Sequence, residues 1–417
     1  MRHGAAHEAG PGLHRRAFLA GALGAAGLAL AGGCGGEDVT PEDVALLEAR
    51  TREELARSGR GPLGPLRVRG YRGLAELPWF ELDEAGRPRL VAELPAGIDI
   101  HTHLGMALGL APRPDLHAAT DRVVYVLDCE SRPGPCDLDL DVYMNLNFTA
   151  DELRGLRVAA IRQLTIGNPA AATHTLPNLA SELDGAGFDQ AAVLPIVFGL
   201  PFGDDLADRW LDAVAESPLR GRFLPGGSVH PRDPDRIARL RSQARRGARI
   251  VKLHPEMQRF RPQSTEAMEV MAECERIGLP VIFHAGRSGI EPESIRGYAL
   301  LRHLEEPAAA FPRLPIVLGH GGARDLPDAV ELATRHPNLY LGIASLGASA
   351  IAHLLDTLGP ERVVFGSDWP FYPVNTGVAK LLWATRQRPE AREPVLRGNV
   401  LRLFDAVEER RRAFLGA

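Results

Sequence analysis

Short apolar runs alternate with amphipathic segments along most of the chain. From residue 96 onward, runs such as Val281-Ile-Phe283 are each followed by a turn and a helical segment. Continuous apolar runs are typical of strands that are buried on both faces, as in parallel sheets. The pattern predicts strands at 98–103, 190–197, 223–230, 249–254, 280–284, 315–320, 338–344 and 362–368. It predicts helices at 204–217, 234–246, 264–277, 292–305, 325–336, 347–358 and 376–388.

Eight strands that alternate with helices predict an α/β fold of the (β/α)8 TIM barrel type. An open, doubly wound sheet is the alternative, but the chain has no glycine-rich nucleotide-binding fingerprint. The strand count holds only if 104–188 is a long insertion after the first barrel strand. Insertions at the carboxyl ends of barrel strands form lids or substrate walls.

A small region of helix and hairpin precedes the barrel. Thr40-Pro41 predicts the start of a helix that reaches Arg57, because threonine caps helices and proline suits the first turn. A Gly/Pro-rich linker follows at 58–65, and Trp79–Val91 has the pattern of a hairpin. The predicted organisation is an export signal at 1–34, this small region at 35–95, the barrel at 96–408 and a tail at 409–417.

The first residues have the pattern of an export signal. An apolar, glycine-rich run from Ala17 to Gly33 follows Arg15-Arg16 and is too short for a membrane span. The arginine pair resembles a twin-arginine export motif. Leu30-Ala-Gly-Gly-Cys34 resembles a bacterial lipobox, in which Cys34 carries the lipid. The sequence therefore predicts an exported protein, either a periplasmic protein or a lipoprotein anchored to the membrane through Cys34.

The net charge limits the classes of partner, and the cysteines allow one disulfide. A net charge of −5 gives no electrostatic basis for nucleic-acid binding. Cys129 and Cys136 lie on either side of a turn-forming stretch, so they form a disulfide in an oxidising compartment or remain two free thiols. Cys274 falls on a helical stretch as a small apolar filler. Barrels of this kind commonly dimerise, but no residue here indicates an oligomeric state.

Five of the predicted barrel strands end in residue types that bind metals. The first ends in His101-Thr-His103, and two imidazoles two positions apart on one strand face a common point. Four later strands end in His254, His284, His320 and Asp368. A single histidine of this kind is commonly a satisfied core residue. Five strands that each end in a residue of a metal-binding type instead indicate a site.

Barrel geometry brings these side chains together, because the carboxyl ends of the strands converge on one rim. The resulting set can hold one divalent cation with three imidazoles and one carboxylate: His101, His103, His284 and Asp368. Zinc is the expected ion, manganese is the alternative, and one ion is favoured over two. The cation would activate a water molecule, whose proton Asp368 would accept. His320 is predicted to act as an acid/base group or to orient the water.

Lysine is rare in this chain, which makes its positions informative. Lys252 and Lys380 are the only lysines among 48 basic residues. Lys252 shares the inward face of its strand with His254, where a compact amine serves better than an arginine. Lys252 would anchor a substrate carboxylate or form a carbamate that bridges two metals, and chance is the alternative. His254 is predicted to be a ligand, a substrate contact or a packing residue.

The ordered motifs resemble the amidohydrolase superfamily, and within it the branch of aminocarboxymuconate-semialdehyde decarboxylase and dicarboxylate lactone hydrolases. The strings that carry the resemblance are I-D-I-H-T-H, V-K-L-H-P, F-H-A-G, G-H-G-G and F-G-S-D-W-P. Leu396–Phe404 also resembles the closing helix of that branch. The resemblance covers about 96–405 apart from the insertion. It implies a TIM barrel that holds one zinc or manganese ion, sometimes two, with His320 as catalytic residue and these metal ligands: His101, His103, His284 and Asp368.

Three functions remain open at this level, each with a small molecule as the partner. The first is hydrolysis of an amide, ester or lactone by metal-activated water. The second is non-oxidative decarboxylation of a small carboxylic acid, which the same ligands would serve. An exported location favours hydrolysis. The third is a surface binding protein on an inactive scaffold, which is disfavoured because no ligand position has been lost.

Overall fold

The computed structural model describes residues 40–43, 45–46, 49, 66–128, 130, 136–162 and 165–417. Its strands are β1 Arg67–Arg69, β2 Phe80–Leu82, β3 Pro88–Leu90, β4 Gly97–Thr102, β5 Asp137–Asp139, β6 Phe188–Val193, β7 Phe223–Gly227, β8 Ile250–Leu253, β9 Val281–His284, β10 Ile316–Gly319, β11 Leu339–Gly342 and β12 Val363–Val364. Its α-helices are α1 Ala150–Arg162, α2 Leu176–Ala186, α3 Leu206–Glu216, α4 Arg236–Arg245, α5 Pro255–Gln258, α6 Thr265–Ile277, α7 Glu305–Ala310, α8 Leu326–Arg335, α9 Ala348–Leu358, α10 Val374–Ala384 and α11 Asn399–Leu415.

Eight parallel strands in the described part of the chain form a single sheet that closes on itself. The strand order is β12-β11-β10-β9-β8-β7-β6-β4. The two end strands then meet, since Thr102 forms a parallel bridge with Trp369. The His103 N–H also donates to the Trp369 carbonyl at 2.7 Å. The (β/α)8 barrel is therefore confirmed, and each predicted barrel strand overlaps an observed one.

One predicted helix, 292–305, is replaced by tighter turns. Two 3-10 turns, Glu293–Ala299 and Leu301–Leu304, precede the short helix α7. Leu300 between them has ψ near 130°, which is extended and cannot continue an α-helix. The apolar spacing of this stretch suits a helix, but the loop that leaves β9 adopts turns instead.

The stretch that follows β4 contributes to two parts of the fold. Its last helix, α2, leads directly into β6 and serves as a barrel helix. Thr175 caps the start of α2, and Gly187 ends it in the left-handed conformation that glycine tolerates. Earlier in the stretch, β5 pairs antiparallel with β1. The region before the barrel and the excursion after β4 thus form a common layer, and the predicted hairpin is present as β2 and β3.

An apolar cluster fills the barrel below its carboxyl-terminal rim. Ile282 lies two positions before His284 on β9, so both side chains lie on the same face of the strand. The cluster comprises Ile98, Ile100, Ala192, Leu194, Ile250, Ile282, Val317 and Val364, and α11 adds Val400, Leu403 and Phe404. The C-terminal helix therefore closes the amino-terminal end of the barrel, which leaves the opposite rim for polar groups.

The N-terminal segment is docked on the barrel through one buried carboxylate. The Thr40 N–H donates to Asp43 at 3.0 Å, and the Asp43 N–H donates to the Thr40 hydroxyl at 3.2 Å. This reciprocal pair marks the predicted start of the helix. The same carboxylate pairs with Arg302 and lies 3.4 Å from His303.

None of the helices in the described ranges is long and apolar enough to cross a membrane.

Several predictions concern residues that lie outside these ranges. The predicted export signal, the lipidated Cys34 and the linker at 58–65 all lie outside the described residues. Cys129 does too, whereas Cys136 is described and is disulfide-bonded. Cys274 is a free, buried thiol on α6, as the sequence predicted.

Lys380 is buried on α10, with only 2% of its surface exposed. Burial lowers the pKa of Lys380 to about 7, against a weak opposing effect of Asp368. An ammonium group in an apolar environment loses its hydration, so the folded protein favours the neutral amine. Lys380 therefore destabilises the fold wherever it must carry a proton.

Replacing Lys380 with methionine is expected to stabilise the protein at pH 7 and much less at pH 10. The pKa is about 7 in the folded state and near 10.5 when unfolded. The unfolded state thus binds the extra proton between these values, and wild-type stability rises with pH across that window. Thermal unfolding of both proteins at the two pH values tests this, with Arg220→Met at an exposed position as control. A gain that is equal at both pH values would contradict the prediction.

Candidate metal centre

His101, His103 and Asp368 meet at the carboxyl-terminal rim. The Asp368 Oδ1 lies 3.7 Å from the His101 Nε2 and 3.5 Å from the His103 Nε2. The His103 Nδ1 lies 2.7 Å from the Leu194 carbonyl, to which it donates. That bond leaves the Nε2 lone pair of His103 directed at the centre, as a metal ligand requires.

Barrel closure holds Asp368 in this place. The Asp368 N–H donates to the His101 carbonyl at 2.9 Å, and the residue has a φ of 66°. The neighbouring Ser367 N–H donates to the Asp99 carboxylate at 3.1 Å, which also accepts the His101 N–H at 3.0 Å. Asp99 is fully buried, and burial raises its pKa to about 7. Hydrogen bonds between the segments of the first and last barrel strands therefore hold the histidines and the aspartate next to each other.

His320 joins this group from β10. Its ring centroid lies 4.8 Å from that of His101. The ligand atoms of His101, His320 and Asp368 all lie within 4.8 Å of one another. The turn after β10 has positive φ values at His320, Gly321 and Gly322, where glycine is favoured. The glycine pair therefore allows the sharp turn that keeps this imidazole over the barrel.

His284 lies beside a second group of polar side chains. Its ring stacks on His254 at a centroid distance of 4.1 Å and an angle of 6°, and it lies 4.6 Å from His320. Its Nε2 is 3.4 Å from the Glu256 Oε2. His254, Glu256 and His284 offer ligand atoms within 4.8 Å of one another. The lone pairs of two parallel rings point side by side, however, so these two imidazoles do not converge on a single ion.

Burial sets the protonation of the histidines. It lowers the pKa of four of them well below the ordinary value: His101, His254, His284 and His320. Neutral imidazole is the form that binds a metal. Three buried ring nitrogens also lack a hydrogen-bond partner: His101 Nδ1, His284 Nε2 and His320 Nδ1. The His284 Nε2 and the His320 Nδ1 thus have no hydrogen-bond partner within the described chain, whereas the His101 Nε2 that faces Asp368 contacts the Lys252 Nζ.

The distances fit a cation. Four ligands at about 2.0–2.2 Å from a tetrahedral zinc ion lie about 3.3–3.6 Å from one another. The His103–Asp368 distance of 3.5 Å falls in this interval, and the His101–Asp368 distance of 3.7 Å lies close to it. The donor set of imidazole and carboxylate is also that of zinc and manganese sites. The residues therefore fit a divalent cation.

Lys252 lies inside the centre, not at its edge. Its Nζ is 3.0 Å from the His101 Nε2, and the residue is 1% exposed. Burial lowers the pKa of Lys252 to about 7. The amine is therefore much less often charged than an exposed lysine, which suits a position next to a cation.

Sequence reasoning did not identify Glu256. This residue lies on α5, one position after Pro255 at the helix start, and is 1% exposed. Burial and the neighbouring acids Glu291 and Asp325 raise the pKa of Glu256 well above its ordinary value. An acidic residue two positions after His254 was the only available signal, and such residues are common in first turns of helices.

The excursion after β4 closes the mouth of the barrel over the centre. The Asn145 amide donates to the Ser288 carbonyl at 2.9 Å and accepts a hydrogen bond from the Tyr372 hydroxyl. The Met144 N–H donates to the Ser345 carbonyl at 2.9 Å. These bonds join the excursion to the loops that follow β9, β11 and β12. The predicted role of the insertion as a wall of the site has this structural basis.

Two buried phenols of this closure lie near Asp368. Tyr143 and Tyr372 are 8% and 2% exposed. Burial raises the pKa of both, and the nearby Asp368 carboxylate raises it further. Both hydroxyls therefore stay protonated and can donate hydrogen bonds. Neither residue has a distinctive sequence pattern, since Tyr143 lies in the excursion and Tyr372 follows the predicted last strand.

A separate cavity lies on the side of the barrel. It has a volume of about 330 Å³ and lies between the β2–β3 hairpin and α2. Arg87, Tyr125 and Glu182 are among its lining residues, whereas none of the candidate metal ligands lines it. The chemistry of the centre does not extend to this cavity.

Comparisons with known proteins bear on the family and the fold of the chain. A sequence profile of the amidohydrolase family matches residues 98–406. No curated protein matches the chain. An uncharacterised TIM-barrel protein from Bordetella bronchiseptica is similar in structure, with 22% identity and a TM-score of 0.53 over 75% of this chain and 100% of that one.

Two further solved structures are more distant. A 5-carboxyvanillate decarboxylase from Sphingomonas paucimobilis has 20% identity and a TM-score of 0.47 over 61% of this chain and 95% of its own. A probable 2-pyrone-4,6-dicarboxylic acid hydrolase from Acinetobacter baumannii has 12% identity and a TM-score of 0.44 over 75% of this chain and 100% of its own. The profile match covers most of the chain, and the chain therefore belongs to the amidohydrolase family.

Proposed function

We propose that this protein is a metal-dependent hydrolase that acts on an amide, ester or lactone bond of a small molecule. One observation carries the proposal. The Asp368 carboxylate lies within 3.7 Å of the Nε2 atoms of both His101 and His103. A proton acceptor is thus already placed beside the nitrogens that would hold the cation, which is the arrangement that water activation requires.

The proposed ligands are those predicted from the sequence: His101, His103, His284 and Asp368. When bound, a divalent cation lowers the pKa of a coordinated water from 15.7 to about 7 and polarises the substrate carbonyl. Asp368 accepts the proton of the attacking water. His320 is neutral because burial lowers its pKa, so it can accept a proton or orient the water by a hydrogen bond. His103 is held in the required tautomer by the Leu194 carbonyl.

Lys252 is proposed to act within the metal centre. Its contact with the His101 Nε2 at 3.0 Å supports this role over the capture of a distant substrate carboxylate. The amine has a lowered pKa, which also favours the carbamate suggested by the sequence. His254 stacks on His284, and this contact supports a positioning role for its ring.

The closed mouth restricts the substrate. Asn145 and Tyr372 seal the rim above Asp368, and the metal-centre residues are no more than 7% exposed. A substrate enters only if the excursion moves or if the substrate is small. The phenol of Tyr143 is a protonated donor that suits an acyl oxygen or a carboxylate of such a substrate, whereas the Tyr372 hydroxyl donates to Asn145.

Replacing Asp368 with asparagine is expected to weaken zinc or manganese binding and to lower turnover about 10²–10⁴-fold. Asparagine keeps the shape of the side chain but has no negative charge and is a poor proton acceptor. Metal content after dialysis against a weak chelator measures the first effect, and turnover of any active substrate measures the second. His353→Ala, at an exposed histidine on α9, serves as control. If Asp368→Asn retained all of its metal, Asp368 would not be a metal ligand.

Hydrolysis and decarboxylation can be separated by following atoms from solvent and substrate. The protein is loaded with zinc or manganese and offered a panel of amides, lactones and aromatic carboxylic acids in ¹⁸O-labelled water. We expect one ¹⁸O atom in the acid product and no carbon dioxide. Release of carbon dioxide without ¹⁸O in the remaining product would establish a decarboxylase instead. A metal-free protein after purification without chelators, and no turnover after loading, would favour a binding protein.

A further inference from the structure

Glu256 is a buried carboxylate that the proposed chemistry does not use. It is 1% exposed, and its Oε1 has no hydrogen-bond partner. Its Oε2 faces the His284 Nε2, which has no hydrogen-bond partner either. The Glu256 Oε2 and the His284 Nε2 thus lie opposite each other in the protein interior without a hydrogen bond between them.

The basic side chains around Glu256 are engaged with other acids. Arg287 forms a buried pair with Asp325 at 2.6 Å, and Arg296 lies 3.5 Å from Glu291. Glu291 and Asp325 also add negative charge near Glu256, and the opposing charges of Arg296 and Arg287 offset it only in part. A buried carboxylate without a counterion destabilises a fold by several kcal/mol unless it is neutralised. The local electrostatics therefore favour a cation at this position.

The distance between the two groups distinguishes a shared cation from a direct hydrogen bond. A protonated carboxyl that donates to an imidazole would lie about 2.5–3.0 Å from the nitrogen. The observed distance is 3.4 Å. Two ligands of one tetrahedral zinc ion lie about 3.3–3.6 Å apart. The distance between the Glu256 Oε2 and the His284 Nε2 is longer than that of such a hydrogen bond. It matches the distance between two ligand atoms of one zinc ion.

The ring of His284 is oriented for this contact. Its pKa is influenced by a hydrogen bond with the Gly286 backbone, which leaves the Nε2 directed at Glu256. Gly286 itself has a φ of 80°, and a Cβ there would lie 1.8 Å from the Gly322 carbonyl oxygen. The turn after β9 therefore needs glycine at this position, and that turn holds the imidazole in place.

We propose that Glu256 is a metal ligand that shares a divalent cation with His284. The inference rests on the proposed metal-dependent function and adds a carboxylate to its predicted ligand set. Glu256 is brought there by α5, which begins at Pro255 immediately after β8. The carboxylates Asp368 and Glu256 then approach the histidines from the segments that follow β12 and β8.

Zinc retention and thermal unfolding test the assignment without any substrate. Wild type, Glu256→Gln and Glu291→Gln are dialysed against a zinc buffer of fixed free concentration, and bound zinc is counted per chain. Glu291 is buried nearby and contacts Ser288 and Arg296, so its variant removes a nearby charge without removing the proposed ligand. We expect Glu256→Gln to bind zinc at least about tenfold more weakly than wild type, and Glu291→Gln to remain close to wild type.

The metal-free proteins provide a second signature. Without zinc, Glu256→Gln should unfold at the same or a higher temperature than wild type, because an amide needs no counterion. Added zinc should raise the unfolding temperature of wild type more than that of Glu256→Gln. If the glutamine variant does not fold, Glu256→Asp keeps the charge but withdraws the oxygens, and it should also retain less zinc.

The outcomes separate the two proposals. Equal zinc retention by wild type, Glu256→Gln and Glu256→Asp would overturn the assignment of Glu256 and leave the metal-dependent function in place. Absence of zinc and manganese binding by wild type would overturn both. Equal weakening by Glu256→Gln and Glu291→Gln would show that only the local charge matters, and would also overturn direct coordination.

Discussion

The candidate metal centre depends on the hydrogen bonds that close the barrel. The Asp368 N–H donates to the His101 carbonyl, and the His103 N–H donates to the Trp369 carbonyl. These bonds join the first and last barrel strands, which are far apart in sequence. Because they are main-chain hydrogen bonds, they fix the position of the Asp368 carboxylate beside the imidazoles of His101 and His103. If the sheet stayed open at this seam, the same side chains would lie at opposite edges.

Burial gives this arrangement its chemical character. The apolar cluster below the rim and the excursion above it keep the centre away from solvent. In such surroundings histidine is neutral, lysine tends to lose its proton, and carboxylates need a counterion. Each of these tendencies favours a bound cation. Metal binding and folding are therefore expected to be coupled in this protein, because the cation supplies the charge that the buried acids lack.

The excursion after β4 is hydrogen-bonded to the loops around this buried site. The family match covers both the barrel and the excursion, and the excursion contributes Tyr143 and Asn145 to the mouth. Loops at the carboxyl ends of barrel strands commonly carry such functional differences. The contact between Asn145 and Tyr372 joins the excursion to the loop that carries Asp368. Under the proposed function, substrate recognition and ligand placement would share one hydrogen-bonded layer.

The sequence by itself determined the barrel, its strand positions and the histidines and aspartate at the strand ends. These features depend on local patterns: apolar runs make buried strands, and residues at strand ends converge in a parallel barrel. Only the tertiary structure decided that Glu256 faces His284, that Lys380 is buried and that Tyr143 reaches the rim. Contacts of this kind depend on register, loop path and neighbouring charge. The hydrophobic periodicity of the sequence does not predict them, because these contacts form between segments that meet only after the barrel has closed.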